Sequence, residues 1–206
     1  MAKLIVSILS SLDGYCAGQG GTLDKMPMDA AFDTHNLGLM RDADTFVFGA
    51  TTYSLFQSYW PNVDRGPQAE PVDRGPQAEP VAREISQRFE TGKKVVVSDS
   101  LASAMNGPWA ETEIVSQAAA VARIADLKRH PGANILIFGS ARLTSFLLSR
   151  GLVDDLYLLV ANVTLGGGVR TFEPGLAVGL RLLHQGRLPN SDIAALLYAA
   201  NGEPVV

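Results

Sequence analysis

The segment SLDGYCAG (11–18) follows a short apolar run and places Asp13 directly before Gly14. A carboxylate there can move a proton, or it can turn the chain, since Asp-Gly is a good turn pair. We read Asp13 as architectural and Asp29, in MPMDAAF (26–32), as the better acid. Asp29 stands ahead of a helical pattern, so complementing a helix N-terminus is its bland alternative. Two further stretches carry the residue types that receive an anion. FVFGATTY puts Gly49 after an apolar run, with Ala50, Thr51 and Thr52 entering a helix, and LIFGSARL repeats the device with Gly139, Ser140 and Ala141. A glycine lets the backbone come close, and the first amides of a helix are unpaired and face outward. Together the two turns can hold the phosphates of one dinucleotide. Neither has the spacing of a P-loop or a Rossmann fingerprint, and each alone is more often a plain tight turn.

Turns of this kind need strands and helices to aim them. Apolar, β-branched runs at 3–9, 45–49, 94–98, 134–139 and 155–160 suit strands buried on both faces. Helical spacing is read from Met28, from Gln117 and from Ala141, the last with Leu143, Phe146 and Leu147 on one face and Gly151 as a cap. The alternation predicts a mainly parallel sheet with helices on both faces, and ligands beyond the carboxyl ends of its strands. Residues 179–200 instead read as two strands joined across Pro189-Asn190, so the sheet should end in an antiparallel hairpin and hold about eight strands.

At 206 residues, 47% hydrophobic and 18% charged, the chain has the size and composition of one folded domain, 1–206. A net charge of -4 with scattered Lys and Arg argues against nucleic acid. Cys16 is the single cysteine, which excludes an internal disulfide. No apolar stretch resembles a signal peptide or membrane span, so the expectation is a cytoplasmic protein without membrane partners. His35, His130 and His184 lack metal-ligand spacing, and no metal is expected. Trp60 and Trp109, each beside a proline, read as loop packing, with a substrate-facing Trp60 as an alternative. VDRGPQAEP occurs at 63–71 and again at 72–80. Its prolines and glycines predict an exposed loop over 63–80, a duplication tolerated because lengthening a loop costs little.

In order, SLDGYCAG, FGATTYSLFQSYWP, VVVSDSL and FGSARLTSFLLSRGLVDDLYLLVANVTLGGG resemble the dihydrofolate reductase-like superfamily, and within it the reductase domain of riboflavin biosynthesis. The resemblance implies a three-layer α/β fold, NADPH as hydride donor, a small-molecule substrate and a homodimer. It implies that Cys16 and Ala17 lie beside the nicotinamide ring, with Gly166 and Gly167, followed by Gly168, lining the passage to it. It implies that Gly49, Thr51 and Thr52 meet the cofactor at one helix start, Ser98 lies near the 2′-phosphate, and Gly139, Ser140 and Ala141 hold the pyrophosphate. Pro27-Met28-Asp29 is similar to the presentation of the active-site acid in dihydrofolate reductases, where a carboxylate can hold or protonate a nitrogen heterocycle.

There are departures. Many relatives have arginine after the glycine at 49, and here Ala50 stands, while Asp99 adds a negative charge beside Ser98. A carboxylate near that ribose favours a free 2′-hydroxyl, which keeps NADH open. Arg142 or Arg41 are the candidates to restore the charge. The basic residue that grips the folate tail falls at Gly92, with Lys93 adjacent. The reading is therefore an NAD(P)H-dependent reductase of a C=N or C=O group. The alternatives are the ribosylaminopyrimidine phosphate reductase itself and a non-catalytic nucleotide-binding relative.

Overall fold

The computed structural model describes residues 1–63, 78–101 and 108–200. In chain order the elements are β1 (Leu4–Ser10), β2 (Tyr15–Ala17), α1 (Ala30–Arg41), β3 (Ala43–Gly49), α2 (Ala50–Val63), α3 (Ala78–Thr91), β4 (Lys93–Val97) and β5 (Glu113–Val115). There follow α4 (Gln117–Arg129), β6 (Asn134–Phe138), α5 (Ala141–Leu148), β7 (Asp155–Val160), β8 (Val169–Arg170), β9 (Arg181–Arg187) and β10 (Ala194–Ala199). The main sheet has eight strands in the order β5-β4-β3-β6-β1-β7-β10-β9, and β2 and β8 form a separate ribbon.

All pairs from β5 to β7 are parallel, and β10 runs antiparallel to both β7 and β9. The expected mixed sheet with a terminal hairpin is the observed one. Asn190 takes the hairpin turn in the left-handed region, φ 57°, a conformation asparagine tolerates better than most residues.

Strand alternation divides the core into two layers. Leu4, Val6, Ile8, Val47, Val95, Ile135 and Ile137 pack with α4 and α5 through Ile124, Leu143 and Leu147. Ile5, Phe46, Phe48, Val96, Leu136 and Phe138 pack with α1, α2 and α3 through Leu37, Met40, Tyr53, Ile85 and Phe89. Three layers result. A smaller cluster of Leu9, Met26, Leu159, Leu188 and Ile193 closes the carboxyl-end side of the sheet near β7 and β10.

Several expectations need correction. The duplicated segment is not loop throughout: Val63 lies in α2 and Ala78 to Pro80 lie in α3, while 64–77 lie outside the described residues. Helix α3 has no counterpart in the sequence reading, although Ile85 and Phe89 lie four apart and are both buried. The short strands β2, β5 and β8 also escape periodicity, being too brief to show one. Trp60 lies within α2 and not in a loop, and Trp109 stacks on Phe48 at 6.2 Å between ring centroids. Both belong to the aromatic core.

Candidate cofactor site

The parallel strands bring their carboxyl ends to one edge, and there the two anion-type turns meet. Gly139 and Ser140 are consecutive left-handed residues, φ 58° and 52°. This bend aims the Ser140 hydroxyl at β3 and α2. The Gly49 amide donates to Ser140 Oγ (3.0 Å), which donates to Thr52 Oγ1 (2.8 Å). A Cβ on Gly49 would stand 3.2 Å from Ser140 Oγ, tighter than ordinary contact, so the hydroxyl would have to shift by a few tenths of an ångström. A Cβ on Gly139 would meet nothing within 4 Å, so that backbone faces open space.

The consequence is electrostatic. Asp29 caps α1 by accepting from the Phe32 amide, and Ser116 caps α4 by accepting from the Ala119 amide. Helix α5 has no side-chain cap, because its N-cap Ser140 has turned its hydroxyl to the neighbouring turn. An uncapped helix start keeps unpaired amides and the positive end of the helix dipole for an anion.

On the other side of β1, the β1–β2 turn meets the glycine loop. Asp13 accepts from Ser11 Oγ (2.6 Å) and from the amides of Leu165 (3.0 Å) and Gly166 (2.7 Å). The Ser11 hydroxyl first, then the Leu165 amide, lower its pKa to about 2. Ala17 is buried in β2, and Cys16 packs partly against the core with its thiol 3.7 Å from the Arg170 carbonyl. Burial pushes the Cys16 thiol pKa up, so the fold does not activate it as a thiolate.

Asp29 has both oxygens engaged. Oδ1 takes the Phe32 amide at 2.9 Å, and Oδ2 takes the Ser191 hydroxyl at 2.6 Å. Ser191, in the β9–β10 turn, also receives the Ile193 amide (3.1 Å). The sequence reading misses it, since nothing local in Pro-Asn-Ser announces a partner 162 positions away.

The adenosine-side candidates are engaged by the protein's own backbone. Ser98 Oγ closes its own turn by accepting the amides of Ser100 and Leu101, each at 3.1 Å. Asp99 Oδ1 accepts the Gln117 amide at the start of α4 (3.0 Å). Arg41 forms a two-pronged pair with Glu84 of α3 (2.9 and 2.6 Å), which commits it elsewhere. Thr51 is exposed at the start of α2, and Arg142 is exposed at the start of α5. A side chain at Gly92 would collide with the Phe46 ring at its first carbon, and Lys93 lies 3.6 Å from Glu113. Among the described residues no helix is long and apolar enough to cross a membrane.

The chain is 25% identical over 206 residues to the uncharacterized protein YyaP of Bacillus subtilis (strain 168), covering 97% of this chain and 96% of that protein. Its fold is similar to that of a putative riboflavin biosynthesis protein from Shewanella sp. PV-4, with TM-score 0.67, 23% identity and coverage of 97% and 98% of the two chains. It is also similar to dihydrofolate reductase from Enterococcus faecalis, solved with NADP(H) and RAB-propyl, with TM-score 0.58, 13% identity and coverage of 96% and 95%. The fold is thus shared at low sequence identity over nearly the full length of each chain. The RibD C-terminal domain family matches residues 2–191, and the chain belongs to that family.

Proposed function

We propose that the protein is a nicotinamide-dependent reductase that delivers hydride to a C=N or C=O group of a small heterocyclic substrate. The observation that carries this reading is the latch of Ser140 to Gly49 and Thr52, which leaves the α5 start uncapped beside the open backbone of Gly139. Membership of the RibD C-terminal domain family adds to it.

The residues fit a dinucleotide phosphate pair. Gly139, Ser140 and Ala141, with Gly49, Thr51 and Thr52, would hold the phosphates, and Cys16, Ala17, Gly166 and Gly167 would border the nicotinamide. When bound, the cofactor supplies the hydride. The chain's own contribution is to hold donor and acceptor in line and to exclude water, which accounts for much of the barrier lowering in such reactions. Asp29, held by the α1 cap and by Ser191, is the side chain in this reading that receives a substrate N–H or orders the water that gives a proton.

NADPH is the first choice of cofactor, with NADH as rival, because Ala50 offers no charge and Ser98 spends its hydroxyl within its own turn. The finer reading of the substrate is a ribosylaminopyrimidine phosphate, favoured by the family match. Dihydrofolate is disfavoured, since position 92 has no room for a side chain and Lys93 is directed to Glu113. A homodimer belongs to the same reading, supported by the edge strand β9, all of whose residues are exposed, Leu182 and Leu183 included.

The test is binding of NADPH and NADH side by side, read by fluorescence of the reduced ring, followed by turnover on the pyrimidine phosphate and on dihydrofolate. Binding with turnover on the pyrimidine phosphate is the expected outcome. Binding without any turnover moves the protein to the non-catalytic alternative, and no binding at millimolar cofactor refutes the reductase reading.

A further inference from the structure

Asp13 is placed by its turn, where Oδ1 takes the Ser11 hydroxyl, but its carboxylate is not spent there alone. An aspartate that only makes a turn bonds amides a few residues ahead. Asp13 instead reaches across 152 positions to the Leu165 amide and 153 to the Gly166 amide. Its own geometry is preset by Ser11, which donates to the carboxylate and accepts the Tyr15 amide (2.9 Å), while the Ser11 amide donates to the Tyr15 carbonyl (2.7 Å).

The far end of the glycine loop is fixed as well. Gly168 has φ 130°, and a Cβ there would collide with the Ala17 carbonyl oxygen and lie 2.6 Å from the Gly18 carbonyl carbon. Val169 then pairs with Ala17 in the β2–β8 ribbon. Between the two anchors, Gly166 and Gly167 present bare backbone, and a Cβ on Gly166 would meet nothing within 4 Å. The loop is therefore held at its start by the Asp13 side chain, next to the backbone bond from the Leu12 amide to the Val163 carbonyl (2.8 Å), and at its end by backbone packing.

We propose that Asp13 is a positioning residue for the nicotinamide end of the site, pinning the 165–168 glycine loop against β2 so that Gly166 and Gly167 form a fixed wall beside Ala17. This role rests on the reductase reading. Chemistry requires a carboxylate in it, because two amide N–H groups converge on its two oxygens. Asparagine would turn an NH₂ toward one of those donors. The low pKa keeps the carboxylate charged throughout the working pH range.

The experiment compares wild type with Asp13→Asn in three measurements on the full chain. Amide hydrogen exchange at Leu165 and Gly166 reads the clamp itself. Titration with whichever of NADPH or NADH the wild type holds reads the whole site. Titration with the matching adenosine half, 2′,5′-ADP or 5′-AMP, reads only the end remote from the loop. The expected result is faster exchange at both amides, a dinucleotide Kd raised roughly tenfold, the scale of one lost charge-assisted contact, and an unchanged Kd for the adenosine half. A general structural role would weaken both ligands together, and that result overturns the proposal. So does an unchanged dinucleotide Kd with freed amides, or amides that stay protected. If the wild type binds neither dinucleotide while Asp13→Asn still frees the amides, the reductase reading falls and this role falls with it. Ser11→Ala, which removes one of the carboxylate's partners, should give the same pattern at smaller amplitude and serves if Asp13→Asn does not fold.

Discussion

Replacing Ser140 tests the latch on which the cofactor reading stands, and two variants separate its parts. Ser140→Ala removes the hydroxyl that receives the Gly49 amide and donates to Thr52, leaving a part-buried amide without that partner. The expected loss is about 1–2 kcal/mol. Ser140→Gly loses the same hydroxyl but relieves a backbone held at φ 52°. Left-handed backbone costs a non-glycine residue about 1–2 kcal/mol, and glycine returns about 0.4–1 kcal/mol of that as extra unfolded-chain entropy. The glycine variant should therefore be more stable than the alanine variant by about 0.5–1 kcal/mol, net of those two effects. Urea unfolding at neutral pH measures both differences, and NADPH titration of the same samples reads the function. Both variants should bind several-fold more weakly, because the two helix starts are no longer fixed to each other. An alanine variant as stable as wild type, or more stable than the glycine variant, would refute the reasoning.

Three further outcomes are expected. Asp29→Ser keeps a side-chain cap for α1, since serine caps as well as aspartate, but takes the acceptor from the Ser191 hydroxyl, so stability should fall by about 1 kcal/mol while turnover on the accepted substrate drops at least tenfold; turnover that falls by no more than that loss of stability explains would mean that Asp29 is structural and nothing more. Lys94, buried under the Trp109 ring, donates to the carbonyls of Phe89 (2.6 Å), Glu90 (3.2 Å) and Gly92 (2.7 Å) at the end of α3; Lys94→Met keeps the bulk but strands those acceptors and should cost about 2–3 kcal/mol in chemical unfolding. Glu113 is held below its ordinary pKa of 4.5, chiefly by the Arg123 hydrogen bond. Its stabilisation is complete above that unfolded value and is lost as pH falls through the lower folded one. Glu113→Gln should therefore lower the melting temperature at pH 7 and flatten its decline between about pH 5 and 3; an unchanged slope would show that the pair contributes nothing.

The parts of the fold that are legible in the sequence are those with a local cause. The run LIVSIL at 4–9, short and rich in β-branched residues, reads as a strand covered on both faces, and it is one of the two central strands of the sheet. The helix after Asp29 is announced by its cap, and the hairpin by Pro189-Asn190. Helix α3 escapes notice for an equally local reason. Ala78 to Pro80 within it belong to the second copy of a Pro- and Gly-rich repeat, and its buried positions Ile85 and Phe89 are too few to stand out from a polar stretch. Trp60 reads as loop because a following proline reads as a break, yet α2 carries Pro61 inside it, giving up a single backbone bond while Trp60 is buried in the aromatic core.

By itself, then, the sequence determined the main strands and the helices with a clear apolar face, the mixed sheet and the presence of glycine turns at strand ends, since hydrophobic period and turn chemistry act over a few residues. It also carried the identity of Asp13 as a turn residue. Only the tertiary structure decided that Ser140 bridges to Gly49, 91 positions earlier, that Asp13 holds the glycine loop, and that Ser191 meets Asp29. Those partners are chosen by strand order and by which loops share the carboxyl edge of the sheet. A hydrogen bond spans about 3 Å, and nothing in the local spacing of a chain says which distant residue will come that close.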